Sequence, residues 1–196
     1  MLNGEKLWCT NGTIARYLVV MARTPTVKKT GGKKRRAITA FVVDTRWPGV
    51  EVVRRCRFMG LRALYNGVIR FNNVRVPAEN VILAPGKGMR VALNALSVGR
   101  LTLPAACAGL VRESLRITRD WVATRRQWGC EIGKHEAIAA KVADMAADAF
   151  ALESMVNLTS ALVDEKVDYR LESALCKLWG TETAWRVVDD LLQIRG

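Results

Sequence analysis

The apolar residues of this chain change their period once, at Pro85-Gly86-Lys87-Gly88, and that change limits the folds open to it. Before it, apolar runs at 17–22, 37–43, 49–53 and 67–71 are bounded by turn signals such as Pro48-Gly49 and Asn66-Gly67, and Val74-Arg75-Val76-Pro77 closes the region. A polar loop at 25–34 separates the first two runs. Short strands at close spacing with tight turns predict an antiparallel sheet or barrel. After the change the period is helical. Residues 89–126 predict one long helix, kinked and not ended by Pro104. Ile138, Val142, Met145, Ala149, Leu152, Val156 and Leu162 fall mostly at alternating steps of four and three, one stripe along a second helix. A third opens near Asp168, placed as its N-cap, with Leu171, Leu175, Leu178, Trp185, Val188 and Leu192 facing inward. Long helices with short connections make antiparallel neighbours in a bundle. The fold class is therefore α+β: an antiparallel β domain at 1–86, then a bundle of three long antiparallel helices at 87–196. Helices this long point to further cover by a fourth helix and by other subunits.

Composition removes several functions. No apolar run approaches the roughly 20 residues of a bilayer span, so no membrane span is expected. Met1-Leu2-Asn3-Gly4-Glu5 enters a strand directly, unlike a signal peptide, which suggests a fragment or a displaced start. The five cysteines form no C-x-x-C pair and suit free thiols in a reducing compartment. With His135 as the one histidine, no metal site is expected. The net charge of +13 is lopsided: 16 Lys/Arg stand against 4 Asp/Glu in 1–86, and 15 against 14 in 87–196. That excess raises the question of an anionic partner, either nucleic acid or the phosphates of a CoA ester, although acidic missing segments would equally account for it.

Two short segments carry chemistry. In Gly4-Glu5-Lys6-Leu7-Trp8-Cys9-Thr10-Asn11-Gly12 a short strand ends in an Asn-Gly turn, and strand alternation puts Trp8 and Thr10 on one face with Cys9 opposite. Arg125-Arg126-Gln127-Trp128-Gly129 closes the first long helix with a guanidinium, an amide and an indole. An Arg there also suits the helix dipole. Flat faces beside hydrogen-bond donors are what a planar, anionic, redox-active cofactor needs.

Together these segments resemble the flavin-contacting motifs of acyl-CoA dehydrogenases. From Met1 to Leu192-Gln193-Ile194-Arg195-Gly196 the order of segments looks like the middle and most of the C-terminal part of such an enzyme, nearest the very-long-chain type and its bacterial relatives, and the resemblance implies that the β domain is incomplete and the bundle truncated. The resemblance implies FAD as cofactor, with Trp8 and Thr10 lining the isoalloxazine. Arg125 and Gln127 then reach the FAD pyrophosphate, typically of a neighbouring subunit, and Trp128 is the aromatic of the same motif. His135 and Glu136 open the next helix near the dinucleotide; a lone His is usually structural, and that reading stays ahead for His135. Glu136 stands where some members carry Gln, and a carboxylate beside a phosphate would repel. Gln193 and Gly196 match the start of a Gln-Ile-x-Gly-Gly segment that approaches the FAD across a subunit interface.

For the substrate, the resemblance places Ser97 and Arg100 at the acyl-CoA channel and Met89 and Leu93 along the acyl or pantetheine path, where plain core packing serves equally well. The basic run of Lys28, Lys29, Lys33, Lys34, Arg35 and Arg36 would meet the adenine end of CoA, or be a merely solvated loop. It has no interleaved aromatics to stack bases, which argues against nucleic acid as a partner. Gly99 stands where some members carry the catalytic Glu, and the family's other solution is a Glu-Gly-Thr segment expected beyond the C-terminus. The chain alone is therefore expected to be inactive. The implied reaction of a complete member removes the α-proton of an acyl-CoA by a carboxylate and the β-hydrogen as hydride to the flavin, giving trans-2-enoyl-CoA. Electrons pass to an electron-transfer flavoprotein; the enzyme is a homodimer or homotetramer, cytoplasmic if bacterial and in the mitochondrial matrix if eukaryotic. An acyl-CoA oxidase-like flavoenzyme on the same fold, a non-enzymatic basic binding module and an inert fragment remain alternatives.

Overall fold

A computed structural model describes residues 1–28 and 34–196, with the side chains of 26–28 and 34–36 outside that description. It divides into two compact units, Met1–Asn94 and Ala95–Gly196.

The first unit is β. Strands β1 (Leu2–Cys9), β4 (Val50–Arg55) and β5 (Gly67–Val74) form one antiparallel sheet in the order β1-β5-β4. Strands β2 (Tyr17–Lys28), β3 (Lys34–Asp44) and β6 (Val81–Ile82) form another, in the order β2-β3-β6. Leu2, Ile69, Phe71 and Val74 from the first sheet and Val20 and Val43 from the second share one apolar core. The turn glycines sit where backbones meet: a Cβ on Gly49, at φ +88°, would lie 2.1 Å from the Asn72 carbonyl oxygen. The expected loop at 25–34 is shorter than its polarity suggested. β2 runs on through Pro25, taking up the missing amide with a register shift between Thr24 and Val27.

The second unit is helical. α1 (Gly88–Thr124) begins in the first unit and passes through Pro104 without ending. A small hairpin, β7 (Arg126–Gln127) with β8 (Cys130–Glu131), leads to α2 (Glu136–Asp164) and α3 (Arg170–Arg195). The stripe expected on α2 is the one that packs: Met145 and Leu152 are buried, and Ile138, Val142, Ala149 and Val156 pack against the same core. Lys141 pairs with Asp190, and Arg186 with Asp148 at 2.6 Å, a descending order that makes α2 and α3 antiparallel. Asp168 is not the formal cap of α3. Tyr169 holds that place, while the Asp168 carboxylate accepts the Arg170 amide at 3.2 Å.

Two expectations about apolar surface need correction. Leu171, Leu175, Leu178, Trp185 and Leu192 do not face inward; all are exposed in this chain, and Val188 is half-buried. The buried face of α3 is Ser173, Cys176, Gly180, Thr183, Ala184, Val187 and Ile194. Small side chains let neighbouring helices approach closely, as at Gly180, where a Cβ would lie 2.9 Å from Leu152 Cδ1 and 3.3 Å from Pro104 Cβ. On α1, an 18-residue window of mean hydropathy 1.3, with 6% of it buried in this chain, is long and apolar enough to cross a membrane, where no such segment was expected. Arg100 and Arg112 break the apolar run of the helix, and an apolar helix that other helices cover meets the same criterion.

Candidate functional site

In the β unit the site grows from a fault in a strand. The pairing of β1 with β5 loses register between Lys6 and Cys9, and Trp8 takes the left-handed conformation at φ 60°. The simple alternation that put Trp8 and Thr10 on one face therefore does not hold, since Thr10 lies past the end of β1 in the turn. The bulge achieves exposure by another route: Trp8 is 67% exposed. Cys9 packs against the β core, and burial pushes its thiol pKa up. The turn is closed by the Gly12 amide donating to the Cys9 carbonyl at 3.0 Å, with Asn11 also left-handed. Thr10 is anchored by Asn66, whose side-chain amide donates to the Thr10 hydroxyl at 3.1 Å. That leaves the hydroxyl proton of Thr10 available to an outside acceptor.

In the helical unit the corresponding feature is the tip of the β7–β8 hairpin. Trp128 and Gly129 both have positive φ, 50° and 89°, as both central residues of a type I′ turn require. Trp128 is 85% exposed. The hairpin is fastened on two sides. Arg126 pairs with Glu131 and donates to the Gly129 carbonyl at 3.1 Å, and Lys134 reaches Glu131 at 2.7 Å. Lys134 first, with Arg126 helping, holds the Glu131 carboxyl down at about 2. His135 Nε2 lies 3.3 Å from the Gln127 carbonyl oxygen and 3.6 Å from Cys130 Sγ, and its ring meets the Trp128 edge at 5.5 Å. His135, at the start of α2, therefore contacts the hairpin at three points.

Arg125 is differently placed. Its guanidinium lies 5.8 Å from the centre of the Trp121 ring, one helical turn back, and among the described residues no carboxylate pairs with it. Arg195, at the end of α3, lies 4.8 Å from the same ring and is likewise without a carboxylate. The structure brings Gln127, Trp128 and His135 together at the hairpin, and Arg125 and Arg195 together at Trp121; Gln193 and Gly196 lie beside Arg195 in sequence at the end of α3. Trp121 and Arg195 are the residues sequence reasoning missed. The i, i+4 spacing of Trp121 and Arg125 was the available signal.

Of the substrate candidates, Met89 and Leu93 are about half exposed, at 48% and 50%, on the first turns of α1. Ser97 and Arg100 are half-buried further along the helix. A Cβ at Gly99 would meet nothing within 4 Å. The side chains of Arg35 and Arg36 lie outside the described residues, as do Lys29 and Lys33 altogether.

An antiparallel β unit followed by long antiparallel helices, with motif tryptophans held out from both, defines the class as a middle β domain joined to a C-terminal helical domain. The profile of the acyl-CoA dehydrogenase middle domain matches residues 1–74, and that of the acyl-CoA dehydrogenase C-terminal domain matches residues 86–196. The chain belongs to the acyl-CoA dehydrogenase family. It is 48% identical over all 196 residues to the probable acyl-CoA dehydrogenase FadE10 of Mycobacterium tuberculosis, and 38% identical to the very long-chain specific acyl-CoA dehydrogenase, mitochondrial, of Bos taurus. In both cases it spans 30% of the relative's length. Butyryl-CoA dehydrogenase from Megasphaera elsdenii superposes with a TM-score of 0.87 at 29% identity, covering 99% of this chain and 49% of that one. An acyl-CoA dehydrogenase from Bacillus anthracis, solved in complex with FAD, gives 0.84 at 28%, covering 99% and 35%.

Proposed function

We propose that the protein carrying this chain is an FAD-dependent dehydrogenase of fatty acyl-CoA thioesters, forming trans-2-enoyl-CoA and passing electrons to an electron-transfer flavoprotein. One observation carries the reading: both motif tryptophans, Trp8 and Trp128, are largely exposed and held in left-handed backbone. Left-handed backbone is an outlier for a bulky residue, costs about 1–3 kcal/mol, and collects at functional sites. An indole held out at that cost suits a flat apolar surface that arrives from outside. The residues of each unit suit FAD taken separately: Trp8 and Thr10 of the first suit the ring, and Arg125, Gln127, Gln193 and Gly196 of the second suit the FAD of a neighbouring subunit, Arg125 and Gln127 at its diphosphate. The FAD complex of the Bacillus anthracis relative supports the same cofactor.

When bound, FAD supplies the acceptor for the β-hydrogen. The chain's own residues position and polarise. Thr10 offers a hydroxyl proton to a ring acceptor, and Asn66 keeps that hydroxyl from rotating freely. Arg125 offers a charge-assisted fork to phosphate oxygens. Ser97, Arg100, Met89 and Leu93 face the acyl-CoA thioester, and the basic run ending in Arg35 and Arg36 meets its adenine end. Gly99 has no side chain, so no α-proton is taken at that position. The working assembly is a homodimer or homotetramer. FAD titrated into the chain should quench tryptophan fluorescence saturably, and Trp8→Ala and Trp128→Ala should each weaken binding. A wild-type chain that fails to bind FAD, or tryptophan variants that bind as tightly as wild type, would remove the basis of the reading.

A further inference from the structure

We propose that the loop at 56–66, which joins β4 to β5, seats the first unit on an anionic lipid surface, with Met59 and Leu61 entering the headgroup layer and arginines holding lipid phosphates. The loop stands on a fixed base. The Cys56 amide donates to the Asn66 carbonyl at 2.8 Å, and the Thr13 hydroxyl donates to the Tyr65 carbonyl at 3.2 Å. Arg55 ties the returning limb down: it donates to the Arg62 carbonyl at 2.8 Å, and its guanidinium lies 4.3 Å from the centre of the Tyr65 ring. On that base Met59 is 98% exposed and Leu61 76%, with Leu61 in left-handed backbone at φ 50°. A bulky side chain is an outlier there, and the strain leaves it uncovered. Cations accompany these two. Arg54, Arg57 and Arg62 are exposed, and no Asp or Glu occurs between Glu51 and Glu79. Glu5 and Glu51 on the same sheet are taken by Arg70, so among the described residues no carboxylate pairs with Arg54, Arg55, Arg57 or Arg62. Arg55, Arg57 and Arg62 line a hollow of about 730 Å³ together with Phe58 and Met59.

Other occupants fit less well. A solvated loop accounts for the arginines, and one exposed leucine would need no explanation; two apolar side chains in one loop among unpaired cations do. A second copy of this chain in a two-fold contact would set these arginines against their own copies. Single-stranded nucleic acid would stack on aromatic faces, but the Tyr65 ring already carries Arg55. A bilayer surface asks only for what is present: apolar side chains that reach the acyl boundary, and cations at headgroup depth on stems long enough to stay in the polar layer. The excess of Lys/Arg over Asp/Glu in residues 1–86 draws the unit towards such a surface from further off. Binding of this kind needs neither flavin nor acyl-CoA.

Sedimentation with phosphatidylcholine vesicles, with and without a third of phosphatidylglycerol, tests this on the chain as it stands, and far-UV circular dichroism checks each variant. Wild type should bind the anionic vesicles, leave the neutral ones, and be released at high salt. Met59→Ser/Leu61→Ser, which keeps every charge, should weaken binding about tenfold or more, since both side chains lose their apolar transfer. Arg57→Gln/Arg62→Gln should weaken it about tenfold, from a few-fold for each arginine near an anionic surface. The same change of charge on α1, Arg112→Gln/Arg119→Gln, should bind as wild type, because those arginines already pair with Glu153 and Asp120. Met59→Trp should bind at least as tightly as wild type, because an indole favours the membrane interface, and this keeps the test decisive if a loss variant misfolds. Equal binding to neutral and anionic vesicles overturns the proposal, as does Met59→Ser/Leu61→Ser binding like wild type. An equal loss in the α1 control means that binding follows net charge alone, and also overturns it. A wild-type chain that ignores vesicles sinks it too: retention of a single-stranded oligonucleotide through Arg57 and Arg62 would assign the surface to nucleic acid, and a lowered oligomeric state in Met59→Ser/Leu61→Ser would assign it to a contact between copies.

Discussion

Replacing Arg125 by Ala should weaken FAD binding far more than replacing Arg126, its immediate neighbour of identical chemistry. The difference lies in what each guanidinium already does. Arg126 is occupied by Glu131 and the Gly129 carbonyl, so its loss loosens a hairpin that Lys134 and His135 continue to hold. An exposed ion pair of this kind contributes little, and the effect on FAD affinity should stay within about threefold, as for an ordinary surface substitution. Arg125 has only the face of Trp121, which leaves its five donors for a ligand. Hydrogen bonds to a charged group are worth about 1.5–3 kcal/mol, which is roughly a ten- to hundredfold rise in Kd. Flavin fluorescence titration of both variants reads the ratio directly, and FAD content after purification of the protein carrying each change is an independent check. Equal losses, or a larger loss in Arg126→Ala, would refute the assignment of the diphosphate to Arg125 and the division of labour between the two arginines.

Two glycines should respond to the same substitution with opposite signs. Gly109→Ala, with nothing within 4 Å of its Cβ, should gain about 1 kcal/mol from helix propensity, whereas Gly180→Ala gains the same and loses about 1–3 kcal/mol to overpacking against Leu152 and Pro104. Thermal unfolding should rank Gly109→Ala above wild type and Gly180→Ala below it, and a stabilised Gly180→Ala would show that the α3 contact yields freely. Glu131 and Asp168, both held at about 2, lie below their usual values of 4.5 and 3.8, so their contribution is complete above those values and is lost as pH falls towards 2. Acid titration followed by circular dichroism should show the hairpin and the start of α3 unchanged at pH 6 and loosening only below about pH 4.5; loss at neutral pH would contradict the pairing. The chain supplied with FAD, an artificial electron acceptor and acyl-CoAs of several lengths should show no turnover, because position 99 carries no side chain and a positioned general base is typically worth about 10²–10⁴-fold; clear turnover would require a base elsewhere in the chain.

Period and punctuation made most of the fold legible. The switch near Gly88, the α2 stripe and the continuation of α1 through Pro104 follow from spacing alone, since helices with one covered face must repeat near 3.6. The same rule failed on α3 because it assumes that the largest apolar side chains lie inside the chain that carries them. Ser173, Cys176, Gly180 and Ala184 pack through smallness instead, a contact that hydrophobicity does not mark. Trp8 stood out in the sequence, but its geometry did not. Alternation describes a regular strand, and the slip between Lys6 and Cys9 depends on pairing with β5, far away in sequence. Arg126 and Arg125 differ only by which one the fold has already spent on Glu131. The meeting of Arg195 with Trp121 joins residues distant in sequence, a tertiary fact with no local sign beyond the Trp121–Arg125 spacing.

The outward stripe of α3 makes two equilibria one. Leu192, exposed on that stripe, stands three residues from Arg195 on the same helical turn, beside Gln193 and Gly196. Isolated helix ends fray, and a turn that frays cannot hold a guanidinium in register. Shielding the Leu192 end from water steadies the turn that presents Arg195. By reciprocity, if the proposed cofactor fixes the turn carrying Gln193 and Gly196, it makes that shielding more favourable by the same factor. Cofactor affinity would then vary with protein concentration, and dilution would release ligand without any change at the ligand's own contacts.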